Sequence, residues 1–305
     1  MASLLGGFFG FFTSGGSPRR SLGFQPGFGD DVAFEEDPTV FESERLQLDQ
    51  TGAVIGLTAT IDKEGLQLCE CKSPEGQNPF GRASDLVRTE PPFEKDKEQI
   101  LKISKCMCRV FIEEGEVDGK QRRHFFGTAF FVGETKLITA GHNIAGLNNP
   151  VTRISISLPG VSKVISTDMS LRKIPLIECK VVGTLYKKDW HYSKDIAILD
   201  SGSFRNPDYV PLSSVIPPKE AVIDIIGYPW EIRKEWIEAQ PGLINITQRE
   251  QDAKRLFPAG SLLVTRGTVE DSEETMSYHI STCPGMGGSC VLYQGSVIGK
   301  NFLRQ

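Results

Sequence analysis

The sequence predicts an all-β fold from about residue 106 to its C-terminus, and three observations carry that reading. Short runs rich in Val, Ile, Phe and Thr follow one another through this stretch. Such β-branched and aromatic side chains suit a pleated, half-buried surface. Turn residues separate the runs, as in Val117-Asp118-Gly119-Lys120 and Gln294-Gly295, because Gly, Asp and Asn tolerate the backbone angles of tight turns. There is no alternation of strands with long helical patterns, which argues against a doubly wound α/β sheet and for a barrel or sandwich.

The runs read as strands are 107–113, 124–132, 136–140, 152–158, 176–186, 195–200, 221–227, 243–247, 261–269, 276–282, 290–293 and 296–299. A short helix or arm is expected at 94–107, and a helical turn or long loop at 231–238. Upstream, residues 1 to about 30 are rich in Gly, Phe and Ser, and read as a poorly ordered leader. The Gly52–Cys71 segment suggests a hairpin turning at Asp62-Lys63-Glu64-Gly65, and Pro74, Pro79 and Pro91-Pro92 mark loops and a linker. The expected division is a partly disordered, pro-segment-like region at 1–95 and a folded domain at 96–305.

Composition narrows the function. The chain has 305 residues, 39% apolar and 24% charged, with a net charge of −5, which suits a globular protein with a sizeable core. A nucleic-acid binder would show a basic face; the small cluster Lys120, Arg122, Arg123 reads as a solvated hairpin tip. Seven cysteines are present, at 69, 71, 106, 108, 179, 283 and 290. An odd, sparse set weighs towards a reducing, cytoplasmic setting over a secreted one. The Cys69/Cys71 and Cys106/Cys108 pairs are too closely spaced for ordinary structural zinc ligands. No apolar run is long enough to cross a membrane as a helix. The apolar start MASLLGGFFGFF has no basic residues before it and is broken by glycine, unlike a signal peptide.

Three motifs carry chemistry. In Leu137-Ile-Thr-Ala-Gly-His142-Asn143 a β-branched run ends in two tiny residues and a histidine. In Lys194-Asp195-Ile-Ala-Ile-Leu199 an acid opens an apolar strand, where it can hold an imidazole in one tautomer. In Tyr278-His-Ile-Ser-Thr282-Cys-Pro-Gly285-Met286-Gly287-Gly288-Ser289-Cys290-Val291 a glycine-rich turn joins two strands. Glycine permits backbone angles that aim successive N–H groups into one cavity, as an oxyanion hole requires. Each motif alone has an ordinary structural reading. Their order of histidine, acid and glycine turn is the chymotrypsin order.

With Phe126-Gly-Thr-Ala-Phe-Phe-Val132, Ile226-Gly-Tyr-Pro229 and Val297-Ile-Gly299, these motifs resemble the trypsin-like serine endopeptidases, especially their glutamyl-endopeptidase branch. The resemblance spans about Phe126 to Gly299. It implies two six-stranded β-barrels, a peptide or protein ligand, and no metal or organic cofactor. It implies His142 as general base, Asp195 as its orienting acid, Gly285 as an oxyanion-hole donor and Thr282 on the wall of the specificity pocket.

Two departures shape the functional expectation. The family turn laid on Gly285–Cys290 puts Gly287 in the nucleophile slot, and the spacing to Gly299 favours the same register. Glycine has no side chain with which to attack a carbonyl. Ser289 is the alternative nucleophile if the turn slips by two residues; Cys290 falls at the family's proline. After Gly299 the family pattern lapses, which leaves the completeness of the second barrel open, and Asn301 stands where the glutamyl branch has a histidine. Three readings follow: a protease homologue that binds without cutting, an active serine endopeptidase using Ser289, and a β-barrel interaction module.

Overall fold

The computed structural model describes residues 11–13, 57–62, 65–68, 96–117, 120–145, 153–158, 176–185, 195–230, 232, 234, 246–272, 275–280 and 282–302. Six strands close a first barrel. They are β4 (Met107–Val117), β5 (Lys120–Phe131), β6 (Lys136–Ala140), β7 (Arg153–Ser157), β8 (Ile177–Leu185) and β9 (Ile196–Asp200), in the order β4-β5-β6-β9-β8-β7. All neighbours are antiparallel, with β4 pairing both β5 and β7 to close the ring. Phe111, Phe130, Leu137 and Ile156 are fully buried in the core. A closed barrel leaves no edge, so its strands can be short.

The second sheet has eight strands. They are β1 (Phe11–Thr13), β2 (Leu57–Asp62), β3 (Gly65–Leu68), β10 (Val222–Gly227), β11 (Leu262–Ser272), β12 (Thr275–His279), β13 (Cys290–Tyr293) and β14 (Ser296–Phe302). Their order is β10-β13-β14-β1-β12-β11-β2-β3, with a further β10–β11 pairing. That pairing returns the sheet on itself through β10, β13, β14, β1, β12 and β11. One edge of β11 is shared: its first half pairs β2 and its second half pairs β12. The result is an all-β arrangement of a closed barrel and a second curled sheet.

Most expected strands fall within a few residues of their observed bounds. The hairpin expected at 52–71 is β2–β3, with Asp62 paired to Gly65. β1, from the segment read as a leader, lies parallel between β12 and β14. Of the 231–238 segment only residues 232 and 234 are described, and the Lys120–Arg123 side chains and Cys69/Cys71 lie outside the described residues.

One expectation is overturned. Of the run 243–247, expected to be a strand, residues 243–245 lie outside the described residues, and residues 246 and 247 instead open a helix, Ile246–Leu256. The Leu-Ile-Asn-Ile-Thr composition suggested β structure, but Gln, Arg, Glu, Ala and Lys follow and favour a helix. Ala253, Leu256 and Phe257 recur at helical spacing and are buried. Glu250 and Lys254 pair one turn apart at 2.7 Å.

The helix expected near 94–107 is α1 (Lys97–Ser104); α2 is His142–Ala145 and α3 is Ile246–Leu256. α1 buries Ile100 and Ile103 and donates from Gln99 Nε2 to the Gly295 carbonyl at 2.8 Å. Asp96 at its start contacts Arg266 of β11 at 2.5 Å, and Arg266 grips Asp224 of β10 with two bonds of 2.7 Å. Planar guanidinium matches carboxylate well, so this cluster pins α1 to the second sheet. Burial raises the Asp224 pKa, and Arg266 opposes that rise.

Phe130→Ala empties a fully buried aromatic site of the first barrel. Denaturant unfolding should show a loss of about 3–5 kcal/mol.

Candidate active site

β6 ends at Ala140 and α2 begins at His142, and the small Ala140 and the intervening Gly141 leave room for a second backbone. A Cβ on Gly141 would meet the Asp195 carboxylate and the Ile196 amide at 3.1 and 3.0 Å. Small residues before His142 therefore let the Asp195 segment lie alongside. Asp195 comes just before β9, which pairs β6 with Ala140 opposite Ile196. The sheet register thus delivers acid and histidine to the same end of the barrel.

The contacts between them are complete on the acid side. Asp195 Oδ1 accepts the His142 backbone N–H at 2.6 Å. Asp195 Oδ2 lies 2.8 Å from His142 Nδ1. Burial works to raise the Asp195 pKa, but the His142 and Lys300 charges and the hydrogen bonds from His142 outweigh it and hold the carboxyl below its ordinary range. The acid is therefore an acceptor only, and Nδ1 is the donor. In the neutral ring that assigns the lone pair to Nε2, the tautomer a general base needs.

Lys300 was missed in the sequence. Its Nζ, on β14, lies 3.2 Å from the same Asp195 Oδ2, and its side chain is only 3% exposed. Burial lowers the Lys300 pKa, and Asp195 opposes that change. The signal available was a lysine directly following the apolar Val297-Ile298-Gly299 run.

The glycine turn is wedged against the first barrel. Its two tight bends are closed by Met286 N–H to Cys283 O and Ser289 N–H to Met286 O, both 3.1 Å. Thr128 of β5 is the hub on the other side. Its N–H donates to Gly287 O at 3.0 Å, and its hydroxyl donates to Gly285 O at 2.9 Å and accepts the Tyr228 N–H at 2.9 Å. Its carbonyl accepts the Thr139 hydroxyl at 2.7 Å. Asn143, the residue after His142, donates to Gly287 O at 3.4 Å. Neither Thr128 nor Asn143 was singled out in the sequence, although both stand inside the motifs.

Glycine is required where these segments meet. Gly288 has φ +85°, and a Cβ there would overlap the Thr128 carbonyl and stand 2.8 Å from Ala140 N. A Cβ on Gly127 would stand 2.9 Å from Gly287 O.

The structure brings His142, Asp195 and the Gly285–Gly288 turn to one junction, the turn joined to it through Thr128 and Asn143. Gly285 has φ +90° and its carbonyl is held by Thr128. Ser289 is fully buried, its hydroxyl has no hydrogen-bond partner, and it fills the space a Cβ of Gly227 would take. Thr282 is likewise fully buried with an unpartnered hydroxyl. Cys290 packs its Sγ 3.5 Å from Met107 Sδ, and burial pushes its thiol pKa up, so it is a core filler. The five described cysteines are buried and in no disulfide. Among the described residues no His, Cys, Asp and Glu side chains gather as a metal site, and no helix is long and apolar enough to cross a membrane.

No family model and no curated protein matches the chain. Among solved structures it is similar to an inactive-form mutant of Rv3671c from M. tuberculosis H37Rv. The TM-score is 0.39 with 16% identity, over 70% of this chain and 85% of that chain. A likeness of this size assigns no residue and no activity to this chain.

Asp195→Asn should cost about 3–5 kcal/mol in denaturant unfolding, because it breaks the buried ion pair with Lys300. The lowered carboxyl pKa also sets a sign. Its stabilisation is complete above the ordinary value of 3.8 and is lost as pH falls through the lower folded value. Acid-unfolding curves should therefore be flatter below about pH 4 in Asp195→Asn than in the unmodified chain.

Proposed function

We propose that this chain is a serine-endopeptidase-type protein that keeps the base and orienting acid of an acyl-transfer site but lacks the nucleophile. It acts by holding peptide or protein segments beside the junction of its two sheets. The observation that carries this reading is the His142–Asp195 pair, joined at both Asp195 oxygens, beside a turn whose nucleophile position is Gly287. With no side chain at 287, His142 has no hydroxyl to deprotonate, and any remaining catalysis would fall orders of magnitude below a full triad. In this proposal the peptidase-type unit is 96–305, with the strands of residues 1–95 added to its second sheet. Its motifs are nearest the glutamyl-endopeptidase branch, while Asn301 in place of that branch's histidine argues against glutamate selectivity.

The reading with Ser289 as nucleophile is weaker on physical grounds. Attack needs a hydroxyl within hydrogen-bond reach of the base and open to substrate, whereas Ser289 is sealed against Gly227. A pure interaction module would account for the fold, but would not require an imidazole oriented at Nδ1 by a buried acid.

A fluorophosphonate probe tests the proposal. The unmodified chain should remain unlabelled, Gly287→Ser should be labelled, and Gly287→Ser with His142→Ala should not. Labelling of the unmodified chain that disappears in Ser289→Ala would overturn it in favour of an active enzyme.

A further inference from the structure

The second sheet returns on itself through its shortest strand. β12 pairs β11 on one side and β1 on the other, and β14 pairs β13 on one side and β1 on the other. Among the described residues, β1 alone joins β12 to β14. Taking β1 away would leave two strands with open rows of backbone N–H and C=O groups facing one gap. Such a gap accepts a strand better than a single edge does, because an extended segment placed in it is hydrogen-bonded along both of its sides.

The segment that fills the gap is attached by little. Phe11, Phe12 and Thr13 stand opposite Thr275, Met276 and Ser277, and Phe12 and Thr13 also stand opposite Asn301 and Phe302. Both pairings are parallel, whereas the other pairings of this sheet are antiparallel. Parallel ladders are slightly less stable per residue. The neighbours of β1 lie at the other end of the chain, so no tight turn sets its register, and bringing the two ends together costs entropy.

The gap lies against the candidate site. β12 ends at His279, and Ile280 and Thr282 lead on into the glycine turn. Asn301, opposite Phe12, directly follows Lys300, whose Nζ lies 3.2 Å from Asp195 Oδ2. A segment in the gap therefore ties the strand that leads to the turn to the strand that carries Lys300.

We infer that the gap between β12 and β14 is a strand-accepting site, filled in cis by Phe11–Thr13, and that its ligand class is an extended peptide of the same aromatic and β-branched character, added parallel to both strands. Phe-Phe-Thr is a strand-favouring run, with Gly10 before it and Ser14-Gly15-Gly16 after it. The chain's own segment is the resident ligand, and a peptide from outside must displace it. The inference deepens the proposed function by naming where a peptide is held, and rests on that reading only for this meaning; the acceptor geometry stands on the strand pairing.

The test uses the full chain and a fluorescent synthetic peptide of residues 6–16. Phe12→Pro removes an amide donor from the middle of β1 and should empty the gap. Fluorescence anisotropy should then show the peptide binding Phe12→Pro at least about tenfold more tightly than the unmodified chain, where the tethered segment competes from a high effective concentration. The same peptide carrying Phe12→Pro should not bind. Hydrogen exchange should show protection of 275–277 and 301–302 lost in Phe12→Pro and restored by the peptide. Equal binding to both chains, binding to neither, or binding of the proline peptide would each overturn the inference. Where Phe12→Pro does not fold, the unmodified chain decides: slow exchange at 275–277 and 301–302 that quickens when Phe12 is changed to Gly supports the inference, and exchange there indifferent to Phe12→Gly contradicts it. A dimer of the unmodified chain that Phe12→Pro dissociates would move the occupant to a second copy and overturn the cis assignment. Peptide binding without fluorophosphonate labelling of Gly287→Ser would leave the strand-accepting site standing and sink the acyl-transfer reading; labelling without peptide binding would do the reverse.

Discussion

Everything at this site depends on one carboxylate. Asp195 is buried where the closed barrel meets the second sheet, and three groups converge on it: the His142 amide, the His142 ring and the Lys300 ammonium. A buried carboxylate is costly unless its charge is matched and its oxygens are occupied. Meeting both conditions fixes much else. Gly141 must stay small to let the Asp195 segment approach, β6 must run beside β9, and β14 must bring Lys300 inward. The same contacts that orient a histidine also hold two sheets together, so stability and chemistry cannot be separated here.

A second constraint is steric. The turn from Gly285 to Gly288 is pressed against β5, with Thr128 directing its amide and hydroxyl to the contact while its carbonyl accepts the Thr139 hydroxyl of β6. Tyr228, whose amide reaches Thr128, also receives the Arg109 guanidinium 4.7 Å above its ring, a favourable cation–π placement. Position 287 lies on this rigid surface, its carbonyl fixed by Thr128 and Asn143. A side chain placed there would be presented by an already ordered backbone, which is what catalysis by positioning demands.

The barrel strands were legible because their β-branched runs and turn residues agree with one another: Lys136–Ala140 and Cys290–Tyr293 have the bounds the sequence suggested. Helix α3 was not, because Leu243 to Thr247 carries strand-like residues while the decisive burial of Ala253, Leu256 and Phe257 comes later. The place of β1 between β12 and β14 was equally hidden, since a three-residue parallel strand has no periodicity to read. At the site, His142, Asp195 and the glycine turn were visible as local motifs. Lys300 and Thr128 were not, because their roles arise from contacts between distant segments: Lys300 is 105 residues from Asp195 and Thr128 is 157 from Gly285. A lysine in an apolar run reads as an exposed residue until its counter-charge is known.

The most direct measurement of the proposed function, in which position 287 faces the His142 imidazole, is the pH dependence of thiol alkylation in Gly287→Cys. An ordinary cysteine titrates near about 8.5, and a neighbouring imidazolium lowers that value. The account predicts a reactive thiol with a lowered apparent pKa, returning to ordinary or higher values when His142→Ala is added. A Cys at 287 whose titration is indifferent to His142 would contradict it.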